Sequence, residues 1–275
     1  MAAEGTSIPA LDVLFELPGL PAFDLPTELA LLYGGSFGFD EPRVVANFVA
    51  TVDGVVAIPS VPSSNKLIAA GSETDRFVMG LLRASCDAMM VGSGTLAASP
   101  RGLWTAEQAS PAAAAGFAEL RRRLGRPPLP EIAIVSASGL LDSQHPVFAN
   151  GAIVLTTVEG AHRLTGKLPD ESVVALCDEP TIDGPLMLDA LRARGHKLIL
   201  SEGGPHAIGP LLEAGLVDEL FLTVSPVLTG RVAGDPRLGL VEGADLLPGG
   251  PTRATLLGVR RDADHLFLRY ELERP

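Results

Sequence analysis

Residues 43–54 read Arg-Val-Val-Ala-Asn-Phe-Val-Ala-Thr-Val-Asp-Gly, and this stretch decides the fold class. It is a nearly unbroken run of β-branched and small apolar side chains, ended by the turn pair Asp53-Gly54. A strand apolar on both faces belongs in a parallel sheet covered on both sides. Similar short runs return at 88–92, 132–135, 153–156, 173–176, 198–200 and 220–224. Helical patterns stand between them at 73–84, 112–124, 186–194 and 208–214, and Gly195 and Gly215 follow the last two as C-terminal caps. Finally, 254–260 and 265–272 straddle an Asp-Ala-Asp turn, the pattern of an antiparallel hairpin. The expected fold is α/β: a mostly parallel sheet with helices on both faces and a C-terminal antiparallel hairpin.

The rest of the chain fits around that domain. Of 275 residues, 47% are hydrophobic and 20% charged, enough for a sizeable core. The 33 acidic and 21 basic side chains give −12, the wrong sign for a nucleic-acid backbone or an anionic membrane. Any phosphate must therefore be held by a local pocket. Cys86 and Cys177 make no disulfide framework, and neither has metal-ligand spacing to another Cys or His. No run reaches about 18 apolar residues, and no basic residue precedes Arg43, so neither a membrane span nor a secretory signal is expected. A cytoplasmic protein fits these features. Residues 1–42 are acidic and proline-rich, an expected leader packed on the body with short helical pieces at 11–17 and 27–33. Residues 43–275 then form one domain.

Ligands of open parallel sheets sit beyond the carboxyl ends of the strands. Three strand ends carry unusual residues there. In the first, a period of two puts Asn47, Val49, Thr51 and Asp53 on one face; a ligand-facing role competes with a plain turn. In the second, Val91-Gly-Ser-Gly-Thr95 offers glycines through which a phosphate can approach the backbone, although an ordinary turn explains it too. In the third, Ser201-Glu-Gly-Gly-Pro205 sets an acid before a tight turn whose free amides suit a phosphate. Pro210 lies five residues beyond Pro205, so the following helix is expected to start late or kink. The five histidines lack ligand spacing, so no metal is expected, and Arg121-Arg-Arg reads as a solvated helix end.

Taken in order, these segments resemble a known family. Asn47 to Gly54, Asp75-Arg-Phe, Leu81-Leu-Arg-Ala84 running to Asp87-Ala, and Val91 to Thr95 are similar to the reductase domain of the bifunctional riboflavin-biosynthesis deaminase-reductase. So are Ser201 to Pro205, Gly215-Leu-Val-Asp-Glu219 and Ser225-Pro-Val-Leu-Thr-Gly230. The zinc signature of the deaminase half is absent, which resembles the stand-alone actinobacterial type.

The resemblance implies a dihydrofolate reductase-like fold, NADPH, a homodimer and a small-molecule substrate. The implied reaction reduces the ribose of 5-amino-6-(5-phosphoribosylamino)uracil to the ribityl form. On this reading Gly92, Gly94, Thr95, Gly203 and Gly204 cradle the cofactor. Ser136, Ser138, Thr156 and Thr157, at the next strand ends, hold its adenosine 2′-phosphate. Asn47, Thr51, Asp53 and Glu202 face the substrate, Asp53 or Glu202 polarising the ring or relaying a proton, and Arg83 meets the substrate's phosphate. Two departures touch the substrate side: Val55 replaces a common Lys or Arg, and Ala97-Ala-Ser-Pro100 replaces a common Asp pair. They leave room for a pterin or dihydrofolate-type reductase, or for a non-catalytic nucleotide-binding dimer. The apolar run 217–227 is a second pointer to a dimer, unless burial within one subunit explains it.

Overall fold

The computed structural model describes residues 8–61, 63–247 and 252–273. Residues 1–7 of the expected leader and 274–275 of the expected domain lie outside them. At the centre is strand β2 (Arg43–Thr51), formed by the stretch quoted above. Beside it run β7 (Leu198–Ser201) and β8 (Glu219–Ser225), both parallel to it. From β7 the parallel sheet continues through β3 (Ala88–Gly92), β4 (Glu131–Val135), β5 (Ile153–Thr156) and β6 (Val173–Ala175). On the other side β8 pairs antiparallel with β10 (His265–Leu272), β10 with β9 (Ala254–Asp262), and β9 with β1 (Asp12–Glu16). The mostly parallel sheet with its closing hairpin is the expected fold class.

The two faces of β2 serve two cores. Val45 joins the cluster of Phe77, Leu81, Phe117 and Leu120, under helices α3 (Glu73–Ser85) and α6 (Ala114–Arg123). Val44, Ala46, Phe48 and Ala50 join Met187, Leu188, Ile208 and Leu211, under α8 (Gly184–Ala193) and α9 (Pro205–Glu213). The period of two thus assigns Asn47 and Val49 to the α3 face. That helix is fixed at its start by Ser72, whose hydroxyl accepts from the Asp75 amide at 3.0 Å. Its packing is tight: a Cβ at Gly80 would stand 2.7 Å from the Phe117 ring.

Several expectations are corrected. Residues 11–17 contain a strand, not a helix, because β9 supplies a partner 240-odd residues away that local pattern cannot show. Residues 27–33 do form a helix, α1 (Thr27–Tyr33), with Leu29 fully buried against the body. At Val91 to Thr95, where an ordinary turn is one reading, α4 (Ser93–Ala98) follows β3 directly. Helix α9 starts at Pro205, not late, and carries Pro210 inside it. Arg121 is buried rather than solvated, its Nη1 donating to the carbonyls of Arg83, Ala84 and Cys86 at the end of α3. Arg122 and Arg123 are the surface members, paired with Glu119. The apolar run at 217–227 contains β8, an inner strand between β2 and β10 whose alternate residues are buried and partly buried. No helix among the described residues is long and apolar enough to cross a membrane.

Candidate active site

Register positions the site. Strand β7 pairs with β2 as far as Ala46↔Ser201, whereas β8 follows β2 to Thr51↔Ser225. The β2–β8 pair therefore overhangs the end of β7, and Glu202, the residue after β7, sits at the foot of the step. Asn47 Nδ2 donates to its Oε1 at 3.3 Å. From α3, Arg83 closes on the same carboxylate: Nε is 3.2 Å from both oxygens and Nη2 is 2.6 Å from Oε2. The guanidinium also donates to the Thr105 carbonyl at 3.2 Å and contacts Met79 Sδ at 3.2 Å. Both side chains of the pair are under a tenth exposed, at 7% and 8%.

Arg83 is thus not a solvated helix-end charge: Nε and Nη2 bond Glu202, and Nη1 makes one bond, to the Thr105 carbonyl. Its expected contact with the substrate's phosphate would fall to the second Nη1 N–H and stays a proposal. Its geometry is that of a residue holding Glu202 in place.

Asp75, one turn into α3, completes this wall and was not among the expected site residues. It is half-buried, lies near the Glu202–Arg83 pair and His265, and is hydrogen-bonded to Thr223 of β8. Loss of water around it pushes its carboxyl up to about 6, against the lowering pull of Thr223, His265 and Arg83. A carboxyl on the first turn of a helix reads in sequence as a favourable dipole partner. What makes Asp75 special is the approach of Thr223 and Glu202, which only the fold supplies.

Asp53 behaves in the opposite way. Thr51 Oγ1 donates to its Oδ1 at 2.5 Å, Gly230 N to Oδ2 at 2.8 Å, and Thr229 N to Oδ1 at 3.3 Å. The Thr51 bond and these amides hold its carboxyl at about 2. A group ionised so firmly is better suited to the expected polarising role than to relaying a proton at neutral pH. Thr51 is itself buried, its hydroxyl also accepting from Val55 N at 3.0 Å. Together Thr51 and Asp53 stitch the β2 turn to the loop after β8.

On the other flank, the ends of β3 and β7 lie side by side. A Cβ at Gly203 would stand 2.7 Å from Ala207 Cβ, and one at Gly92 3.2 Å from it. A Cβ at Gly204 would stand 3.2 Å from Thr95 Oγ1. These glycines let the first turns of α4 and α9 meet, and both point amides outward past the strand ends. Gly94 differs: nothing lies within 4 Å of a Cβ placed there, so its backbone faces open space. The donor set fits a dinucleotide's phosphates.

Farther along, the four expected hydroxyls divide. Thr156 Oγ1 donates to Ser136 O at 2.7 Å, and Thr157 Oγ1 donates to Ala137 O at 2.8 Å while accepting from Gly160 N at 3.0 Å. Both residues are buried, so their hydroxyls build the loop and cap helix α7 (Val158–Leu164), which corrects the expectation that they bond a phosphate. Ser138 is exposed at the turn, its hydroxyl accepting from Leu140 N at 3.2 Å. Ser136 Oγ is buried without a partner among the described residues, the kind of orphan a ligand or water satisfies.

A sequence model of the RibD C-terminal domain matches residues 42–266. The chain belongs to that family. Among curated proteins it is similar to a 2,5-diamino-6-ribosylamino-4(3H)-pyrimidinone 5′-phosphate reductase from Archaeoglobus fulgidus. The two are 27% identical over 192 residues, which is 69% of this chain and 82% of that one. Among solved structures it resembles a pyrimidine reductase-like protein from Corynebacterium diphtheriae, with TM-score 0.67 and 25% identity over 92% of this chain and 96% of that one. RibD of Acinetobacter baumannii shares the fold, with TM-score 0.61 and 17% identity over 89% of this chain and 60% of that one. The RibD C-terminal match covers both flanks of the site, from Asn47 to Glu202.

Proposed function

We propose that this RibD C-terminal domain protein is an NADPH-dependent reductase of riboflavin biosynthesis, acting on 5-amino-6-(5-phosphoribosylamino)uracil. The observation that carries the reading is the adjacency of Glu202, gripped by Arg83 and Asn47, to the glycine cradle of Gly203 and Gly204. Substrate and cofactor would meet at one strand end. Gly92, Gly94, Thr95, Gly203 and Gly204 would hold the cofactor's phosphates, with Ser136 and Ser138 toward its adenosine end. When bound, NADPH supplies a hydride to C1 of the ring-opened ribose, and one proton completes the reduction.

The protein's own part is binding, orientation and proton placement. Asn47 and Glu202 present an amide and a carboxylate to the hydrogen-bonding edge of the heterocycle. Asp75 is the carboxyl on this wall whose affinity for a proton is matched to neutral conditions, and it takes the proton-relay role expected of Asp53 or Glu202. Reduction of the 2,5-diamino pyrimidinone counterpart is a second reading, favoured by the similarity to the archaeal reductase. A homodimer in the cytoplasm remains part of the proposal through the family alone.

Steady-state NADPH oxidation with the phosphoribosylaminouracil, its 2,5-diamino counterpart and dihydrofolate tests the reading. Turnover of either pyrimidine and none of dihydrofolate is expected. Turnover of dihydrofolate alone transfers the assignment to a pterin reductase, and NADPH binding without turnover to a non-enzyme.

A further inference from the structure

An acid that gives up one proton for each hydride delivered must get one back before the next turnover. Substrate bound against the wall of Asn47, Glu202 and Asp75 displaces the water in front of Asp75, so the return path comes from behind it. Behind it lies the end of β8. Asp75 is hydrogen-bonded to Thr223, which is level with Val49 of β2 and Phe267 of β10. Two residues on, on the same face and about 7 Å farther along the strand, stands Ser225. Its hydroxyl is fully buried and has no hydrogen-bond partner among the described residues. A buried polar group left so needs an account.

The register supplies its neighbour. Leu266 pairs with Val224, which sets His265 level with Ser225 and on the face of Phe267. The His265 and Phe267 rings are stacked, with centroids 6.5 Å apart at 27°. His265 Nε2 lies 3.1 Å from the Ala69 carbonyl, which can only accept, so Nε2 carries a hydrogen and Nδ1 of the neutral ring is the acceptor. Thr74 Oγ1 donates to Asp262 and ties the hairpin turn to the first turn of α3. Ala263 and Asp264, beside His265 in that turn, are exposed. The imidazole thus stands between bulk water and the Ser225 hydroxyl, with Asp75 beyond. The charged groups around the two are Glu202 and Arg83 on the Asp75 side, and Asp262 and Asp264 on the His265 side.

We propose that His265 returns the proton to Asp75 through the Ser225 hydroxyl. The proposal rests on the reductase reading above and on its use of Asp75 as the acid. In the forward step the Asp75 O–H bond breaks and its proton goes to the nitrogen of the C1=N double bond of the ring-opened substrate, as the hydride adds to C1. In the return step the Nδ1–H bond of protonated His265 breaks, Ser225 takes that proton and passes its own to the Asp75 carboxylate, and water at the exposed turn reprotonates His265. Each turnover draws one proton from solvent and one hydride from NADPH. His265 acts through Asp75 and does not touch the substrate.

The test compares wild type with His265→Ala, His265→Gln and Ser225→Ala. Each should lower kcat about tenfold or more, as the loss of a proton-transfer group does, while KM and calorimetric NADPH affinity do not change. Glutamine keeps an N–H for the Ala69 carbonyl but carries no exchangeable charge, so His265→Gln should melt with wild type and turn over as slowly as His265→Ala. Added imidazole should restore turnover to His265→Ala, and pyrazole, of the same size but far less basic, should not. Unchanged kcat in His265→Ala or Ser225→Ala overturns the proposal. Recovery of kcat in His265→Gln, or equal rescue by pyrazole, also overturns it and makes His265 a tie between the hairpin and the turn before α3. Carbon-13 titration of the Asp75 carboxyl gives a readout without turnover: its midpoint should rise above about 6 in His265→Gln, where the cation that pulls it down is gone. If wild type reduces neither pyrimidine, the functional reading fails, and the titration still decides the coupling of His265 to Asp75; an unmoved midpoint overturns the relay by itself.

Discussion

Arg83 and Glu202 are closed on each other, Nη2 lying 2.6 Å from Oε2 with both side chains nearly buried. The pair joins the end of β7 to the last turn of α3, so the site and the main helix above it are one mechanical unit. Removing one partner leaves the other charge buried and unpaired, which costs about 3–5 kcal/mol. Arg83→Met should therefore destabilise the protein by about that amount in urea unfolding. Arg83→Met combined with Glu202→Leu should recover part of the stability and none of the turnover. Additive losses in the double variant would show that the two groups do not act as a pair.

Asp75 should make stability fall as pH rises. Its carboxyl is raised from 3.8 to about 6 in the folded state, so between those values the native protein binds more protons than the unfolded chain. Stability is then greatest below pH 4, declines through pH 6 and is flat above it, as far as this group is concerned. Asp75→Asn should remove that slope and stabilise the protein at pH 7 by about 3 kcal/mol, while lowering kcat. Gain of stability with loss of turnover marks a group kept for function. Urea titrations at pH 4 and pH 7 check the sign, and a stability loss at pH 7 would make Asp75 an ordinary helix-start residue.

The architecture was legible because its signals are local. Six of the parallel strands are short apolar runs, and β2 carries its polar residues on alternate positions that the register puts beyond the end of β7. What could not be read are the long-range partners. Nothing near 11–17 announces β9, and nothing near Arg83 announces that Glu202, 119 residues away, will occupy it. Asp75 was visible as part of a motif, but its environment comes from β8 and β7. Thr156 and Thr157 look like ligand donors at a strand end until the turn at 136–139 takes their hydroxyls.

That last correction is itself testable. Thr157 caps α7 through Gly160 N, and an N-cap hydroxyl contributes about 1 kcal/mol. Thr157→Ala should lower stability by that amount and leave NADPH affinity unchanged, and Thr156→Val should behave similarly through the lost bond to Ser136 O. Isothermal titration with NADPH, beside thermal melts, separates the two effects. Weakened NADPH binding at unchanged Tm would return these hydroxyls to the cofactor.

The glycine cradle gives the sharpest contrast, because its members fail for different reasons. At Gly203 an added methyl would sit 2.7 Å from Ala207 Cβ, so Gly203→Ala must push α9 away from β7 and should destabilise the fold by about 1–3 kcal/mol. At Gly94 the added methyl meets nothing within 4 Å, and the residue lies inside α4. Replacing a helical glycine by alanine there should raise stability by about 0.5–1 kcal/mol. If the open space over Gly94 is where a cofactor phosphate approaches the backbone, the same methyl must weaken NADPH binding. Gly94→Ala is therefore expected to melt higher than wild type while binding NADPH at least tenfold more weakly. A higher Tm with unchanged affinity would move the phosphates away from α4 and leave Gly204 and the start of α9 as their only cradle.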